Sequence, residues 1–294
     1  MTTLVTYAMV GVAEDVSSTI ANISPSATPF QSMIKSEKVH SRTFEWLEDS
    51  LRASAATALV EGADSSMTAV GQPTTRSNTT QIIGESFQVS ATSDAVKTHG
   101  RAKETAYNLA KVLKQVKLDV EKSMVGVSQA AVVGTASAAR KMASIDQQIS
   151  TTVDAGSNST DALTEAKLLE LGQTCYTNGS DPSVLMIKPA DSTIIAGFAS
   201  SSNRQRDLAD NKTLVNAIDV LVTSFGTYRV VLNRECLATN AYLIDPSMFK
   251  QAVLRPFTRT LLAKTGDSDK HMVVGEVSVK HSQFADSGMI TGLS

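Results

Sequence analysis

The chain has 294 residues, 42% hydrophobic and 19% charged, with a formal net charge of -2. That length admits one large domain or two modest ones, and the near-neutral charge excludes a protein that holds nucleic acid chiefly by neutralising phosphates. The only two cysteines, Cys175 and Cys236, lie far apart and outside any CxxC spacing. A disulfide framework or cysteine-rich zinc site is thereby excluded, and two reduced, buried thiols are expected.

The segment Met1 to Val12 has no basic region, and Glu14 and Asp15 follow at once, so it does not read as a secretory signal. No apolar run approaches the roughly 20 residues that span a bilayer. The expected product is soluble and cytoplasmic, with no membrane partner. Residues 1 to 28 are small and polar, ending in Ser24-Pro25-Ser26-Ala27-Thr28-Pro29, which predicts an extended arm. Phe30, Met33 and Ile34 then mark one helical turn. From Lys38 to Asp49, Val39, Ser41, Thr43 and Glu45 alternate with His40, Arg42, Phe44 and Trp46, the pattern of a strand with aromatics on one face.

Residues 50 to 80 are mostly Ala, Ser, Thr, Gly and Val, broken by Gly62, Gly71 and Pro73. They cannot build a core of their own, and they are too many for an ordinary connection. A second strand pattern runs from Thr80 to Val96 through Ile82, Phe87 and Val89. Together these predict a long two-stranded arm with a mobile tip, which needs a neighbour because an isolated ribbon is marginal in water.

From Arg101 to Val127, Ala106, Leu109, Ala110, Leu113, Val116, Val120, Met124 and Val127 recur at three- and four-residue steps. Lys103, Lys111, Lys114, Lys117, Asp119, Glu121 and Lys122 supply the polar positions between them. The spacing predicts an amphipathic helix of about 25 residues, roughly 38 Å long. A second helical pattern passes through Ala138, Ala139, Met142, Ile145 and Ile149.

A loop follows from Asp154 to Thr160, then a helix capped by Thr164 and ended at Asn178-Gly179. Short strands are predicted at Val184 to Ile187, Leu214 to Val222, Tyr228 to Leu232 and Ala241 to Ile244. Two longer ones, Gln251 to Leu262 and His271 to His281, flank a polar turn from Lys264 to Lys270. The class is α+β.

The stretch from Glu14-Asp15-Val16 through Ile23-Ser24-Pro25-Ser26-Ala27-Thr28-Pro29-Phe30 is similar to the start of a family of tailed-bacteriophage major capsid proteins. So are Glu45-Trp46 to Leu51 with Gly62-Ala63-Asp64, Gly100-Arg101 through Tyr107-Asn108-Leu109-Ala110-Lys111, and Arg140-Lys141-Met142-Ala143. Leu254-Arg255-Pro256 and Leu262-Ala263-Lys264-Thr265-Gly266-Asp267-Ser268 resemble that family's closing hairpin.

The resemblance implies the Hong Kong 97-type capsid fold: an N-terminal arm (1–37), an extended loop (38–97), a peripheral domain with a spine helix (98–154), an axial domain (155–248) and a return to the peripheral domain (249–294). It implies hexamers and pentamers closing into an icosahedral shell around double-stranded DNA in a virion assembled in the host cytoplasm. Scaffold, portal and decoration proteins would be its partners, with no cofactor and no catalysis.

Within that reading the expected intersubunit contacts on the loop are the apolar Phe44, Trp46, Ile82 and Phe87, with Arg42, Glu45, Glu48 and Asp49 setting register. By resemblance, Lys264, Thr265, Asp267, Asp269 and Lys270 in the closing turn meet their equivalents where neighbouring capsomers join. Some relatives weld subunits through a loop lysine and a neighbour's asparagine. No lysine occurs between Lys38 and Lys97, so a non-covalent shell is expected.

A rival reading rests on Ser32-Met33-Ile34-Lys35, Tyr176-Thr177-Asn178 and Lys264-Thr265-Gly266, which match in order the SxxK, YxN and KTG signatures of penicillin-recognising serine enzymes. Ser32 would be the acylated nucleophile, Lys35 its base, Tyr176 a proton carrier and Lys264 a carboxylate binder. Short patterns of this kind arise easily in a Ser/Thr-rich chain. His40, His99, His271 and His281 are scattered without metal-ligand spacing. Gly134 to Lys141 lacks the Gly-Lys-Ser/Thr ending of a phosphate loop.

Overall fold

The computed structural model describes residues 27–58, 60–62, 64, 70–96, 103–156, 161–201 and 220–293. The predicted arm therefore lies outside the described residues up to position 26. So does the predicted strand from 214 to 219.

A five-residue helix, α1 (Pro29–Met33), opens the described chain with proline at its first position, where the missing N–H costs nothing. A short edge strand, β1 (Lys35–Lys38), follows. Then come the ribbon strands β2 (Thr43–Glu48) and β3 (Thr74–Thr79), and the longer β4 (Gln81–Ser90). A one-turn helix, α2 (Ala91–Ala95), is capped by the Ser90 hydroxyl accepting from Ser93 N–H. The spine helix α3 (Glu104–Val125) has 22 residues, about 33 Å.

The sequence pattern expected a helix from 138 to 149, and the structure has none. Residues 132 to 141 instead form a tight loop closed by a bridge between Val132 and Lys141, and Ile145–Gln147 make a single 3₁₀ turn. Side chains take the hydrogen bonds a helix would need. Asn78 accepts from Ala143 N–H at 2.8 Å and donates to Ala143 O at 3.2 Å, while Gln81 accepts from Met142 N–H. Gly134 at φ 76° allows the reversal, a backbone conformation that disfavours other residues.

The next elements are β5 (Thr151–Asp154), α4 (Glu165–Thr177), β6 (Val184–Ile187), α5 (Ser192–Ser201), β7 (Val220–Thr223), β8 (Gly226–Leu232) and β9 (Ala241–Ile244). The Thr164 hydroxyl accepts from Lys167 N–H, capping α4 as its sequence predicts. At the other end Gly179 sits at φ 83°. Its N–H reaches Tyr176 O, and Ser180 N–H reaches Cys175 O. That pair of bonds is the Schellman termination. The chain closes with β10 (Phe249–Leu261), β11 (Ser268–His281) and β12 (Gly288–Thr291).

Among the described residues three sheets result: β1-β10-β11-β4, β5-β12-β9-β6-β8-β7, and the ribbon β2-β3. The six-stranded sheet draws β5 and β12 from outside residues 155–248, so sequence-contiguous segments do not coincide with structural layers. Its central strands are buried on both faces. Val184, Met186, Tyr242 and Ile244 join the core beneath α3, with Val116, Val120, Met124 and Phe249. Their alternates Leu185, Ile187, Ala241 and Leu243 join a second core with Leu168, Leu171 and Ile290. One sheet thus serves two cores through its two-residue period.

The spine helix departs from its predicted stripe. Burial begins only at Val112, and Leu113 is 46% exposed, while Ala106 and Ala110 are also exposed. Glu121, placed by its spacing among the solvated positions, is fully buried.

Candidate assembly surfaces

The ribbon is fastened to its own chain at its base. Trp46 is 9% exposed, stacked on Phe44 at 5.7 Å and tilted against Phe284 at 6.2 Å. Across the ribbon the Arg76 guanidinium lies 4.4 Å above the Phe284 ring and is bonded to Glu48 at 2.6 Å. Glu48 also accepts from Phe284 N–H. Alternation along β2 produces this: Phe44, Trp46 and Glu48 turn inward, while Glu45 and Leu47 turn out, Leu47 being 68% exposed.

Beyond the ribbon the situation reverses. Every described residue from Asp49 to Pro73 is exposed, and none of them is in a strand. Leu51, Val60 and Val70 stand 98%, 79% and 87% exposed. Of the strands predicted over 38–97, β2 and β3 form the ribbon. β4 leaves the ribbon and pairs with β11 over ten residues, which half-buries Phe87 against His271 at 5.1 Å. Ile82, on the alternate face, remains 52% exposed.

The join is Thr80, fully buried. Its N–H donates to Arg42 O at 2.7 Å and its hydroxyl to Glu276 at 2.7 Å. Glu276, a carboxylate inside the apolar run of β11, also pairs with Arg140 and, at 3.1 Å, with Arg255.

Beside this junction lies an open groove of about 430 Å³, lined by Ile82, Val133 and Ala139 together with Arg42 and Arg140. Its wall is the tight loop, in which Thr135 N–H bonds Ala138 O and the Thr135 hydroxyl accepts from Ala138 N–H.

The closing turn is shorter than its sequence predicts. β11 already begins at Ser268, so Asp269 and Lys270 are strand residues paired with Val89 and Gln88. Lys264 and Asp269 form a 3.3 Å ion pair, and the Lys270 ammonium donates to the Thr265 hydroxyl at 2.7 Å. Asp267 and its neighbours at the tip are solvent-exposed or half-buried.

Inside the body, the buried Glu121 carboxylate receives four donors: the N–H groups of Phe30 and Gln31, the Gln31 side-chain amide and the Asn233 side-chain amide. Burial pushes this carboxyl above its ordinary value, against the pull of those donors. Glu121 thereby ties α1 and the loop after β8 to the spine helix. Nothing in the spacing of α3 distinguishes it from a solvated position. Cys175 and Cys236 are free and buried, and burial pushes their thiols up to about 11 and about 12.

The residues of the acylation motifs sit on separate elements. Ser32 donates to Thr28 O within α1, and Lys35 begins β1 after that helix has ended. Tyr176 is 67% exposed at the end of α4, and Asn178 caps that helix and donates to Thr151. Lys264 lies at the far hairpin, paired with Asp269. Among the described residues no group of three or more His, Cys, Asp or Glu could hold a metal ion. None of the described helices is long and apolar enough to cross a membrane.

A family model described as SU10 major capsid protein matches residues 1–294. The major capsid protein of Escherichia phage Phieco32 is 27% identical over 321 aligned positions, covering 92% of this chain and 91% of that protein. The capsid asymmetric unit of cyanophage A-1(L) superposes with a TM-score of 0.68 at 13% identity, covering 98% of each chain. The capsid structure of cyanophage P-SCSP1u gives 0.67 at 9% identity, covering 99% of this chain and 97% of that one.

Proposed function

The chain belongs to the SU10 major capsid protein family and has the Hong Kong 97-type capsid fold, and from that premise we propose that it assembles as hexamers and pentamers into an icosahedral shell enclosing double-stranded DNA. One observation carries the assembly reading: the described residues of the segment 49–73 are exposed throughout, with three large apolar side chains facing solvent. A chain that leaves such a segment bare gains from covering it with a neighbour. In this reading the arm lies across the next subunit, with the outward-facing Leu47 and Glu45 at the contact. The inward Phe44, Trp46 and Glu48 fix the direction in which the arm leaves.

The spine helix with the four-stranded sheet corresponds to a peripheral domain, and the six-stranded sheet with α4 and α5 to an axial domain. The tip around Thr265 and Asp267, with Lys264, Asp269 and Lys270 behind it, joins capsomers. Weak contacts repeated over many copies make the shell strong. Scaffold, portal and decoration proteins complete the particle in the host cytoplasm, DNA is held without sequence preference, and the subunit performs no catalysis.

Negative-stain microscopy of the expressed protein, alone and with its scaffold, tests the proposal. Shells, tubes or rings are expected. Stable monomers that acylate on a labelled penicillin would overturn it.

A further inference from the structure

The arm and the groove are complementary, and the described turn does not line its own subunit's groove. At the arm's described turn, Glu61-Gly62, Gly62 has φ 77°, and a side chain added there would touch nothing within 4 Å. Val60, next to it, is 79% exposed. The turn thus offers an apolar side chain beside a carboxylate, both on open chain. The groove offers the reverse: Ile82 and Val133, 52% and 51% exposed, beside Arg42. Arg42 is exposed and has no ion-pair partner among the described residues.

Arg42 immediately precedes β2, whose six residues carry the chain about 20 Å away before the arm begins. The subunit's own turn leaves its own groove open. The groove wall is preformed, because the loop from Val132 to Lys141 is closed by its own backbone bonds and held by Arg140 on Glu276.

We propose that the groove beside Arg42 and Val133 is the seat for the Val60-Glu61-Gly62 turn of a second copy of this chain. Val60 rests on Ile82 and Val133, and Glu61 pairs with Arg42. The proposal rests on the reading above that the arm covers a neighbour, and it adds where on the neighbour it lands. A contact of turn on groove is head-to-tail, so each copy gives one and receives one, and a ring closes when the rotation between copies repeats evenly. The loop would then owe its tight closure to its role as a socket.

The test is a double-cysteine variant of the full chain, Val60→Cys with Val133→Cys, assembled and then mildly oxidised. The native cysteines are buried and leave the background low. A ladder of disulfide-linked oligomers that collapses on reduction is expected, with each single variant running as a monomer. Assembled particles of the double variant that yield only monomers would overturn the seat.

A charge exchange gives a second readout. Arg42→Glu and Glu61→Arg should each weaken assembly on the order of tenfold per contact, and together restore most of it. A double variant no better than the worse single one would also overturn the seat. Deletion of residues 55–68 separates the two levels. If shells still form, the arm reading itself fails. If the deletion abolishes shells while the full-length double-cysteine variant assembles without a cross-link, only the seat fails.

Discussion

His281 should make the subunit acid-sensitive in a way a single substitution can isolate. Its ring is fully buried, stacked 4.1 Å from Phe249 at an interplanar angle of 3° and 5.9 Å from Phe284. The contacts assign the neutral tautomer: Nδ1–H donates to Gln148 O at 3.1 Å, and Nε2 accepts from the Ser287 hydroxyl at 3.3 Å. Burial holds the imidazole down to about 4, with the Gln148 carbonyl and the carboxylates of Glu48 and Asp245 pulling weakly the other way.

An unfolded chain takes up this proton near pH 6.5; the folded chain refuses it until about pH 4. The stabilisation is therefore complete above pH 6.5 and is lost as pH falls, at about 1.4 kcal/mol per pH unit, to a total of about 3 kcal/mol by pH 4. His281→Phe abolishes that loss. At pH 7 it costs about 2 kcal/mol, because the Ser287 hydroxyl and Gln148 carbonyl are left unpaired.

Urea unfolding of dilute, unassembled subunits, followed by the fluorescence of the single Trp46, gives both stabilities at pH 7, 6 and 5. The advantage of the native protein over the variant should shrink steadily over that range and reverse near its acid end. A difference that stays constant from pH 7 to 5 would refute the idea that His281 is held neutral.

Hydrogen exchange should find the described amides between Asp49 and Gln72 fast in the free subunit and slow in the shell, while β2 and β3 are protected in both; equal protection of the arm in the two states would count against its role at the neighbour. Ser32→Ala should leave particle formation unchanged and cost under about 1 kcal/mol, since it removes one hydroxyl bond to Thr28 O. Labelling by a penicillin that this substitution abolishes would revive the enzyme reading. Mature particles boiled in detergent should run as one band near 31.1 kDa, and a ladder that survives reductant would disprove a shell without covalent links.

Periodicity made the spine helix, the strands β6, β8 and β9 and the long hairpin legible, because each buries one face or both along a regular repeat. Thr164 and Asn178-Gly179 announce the ends of α4 through local chemistry that needs no partner elsewhere. The failures share a different cause. Ala138 to Ile149 reads as helical, but Asn78 and Gln81, some 60 positions away, claim the backbone groups of Met142 and Ala143. Glu121 reads as solvated, yet α1 and Asn233 arrive from distant chain to satisfy it.

The groove was half visible. Arg42 and Ile82 stand out among the loop's charged and apolar residues, but Val133 and Arg140 join them only through the loop that the helical pattern concealed. Glu276 did leave a trace, as a lone carboxylate in the run Met272 to Val279, where only a paired cation could justify it.

Thr80 gives the ribbon a mechanical property. β3 and β4 are nearly one continuous strand, interrupted only by this buried residue, so the six-residue ribbon acts as a stiff lever about 20 Å long. Its pivot is tethered to Arg42 and Glu276. A load on the arm meets two holds: at the Glu48 end the bonds from Phe284 N–H and Arg76, and at the pivot the Glu276 carboxylate. At the pivot it is shared between Arg140, on the groove wall, and Arg255, on the neighbouring strand of the hairpin. The ribbon's pivot and the wall of the groove thus share one side chain.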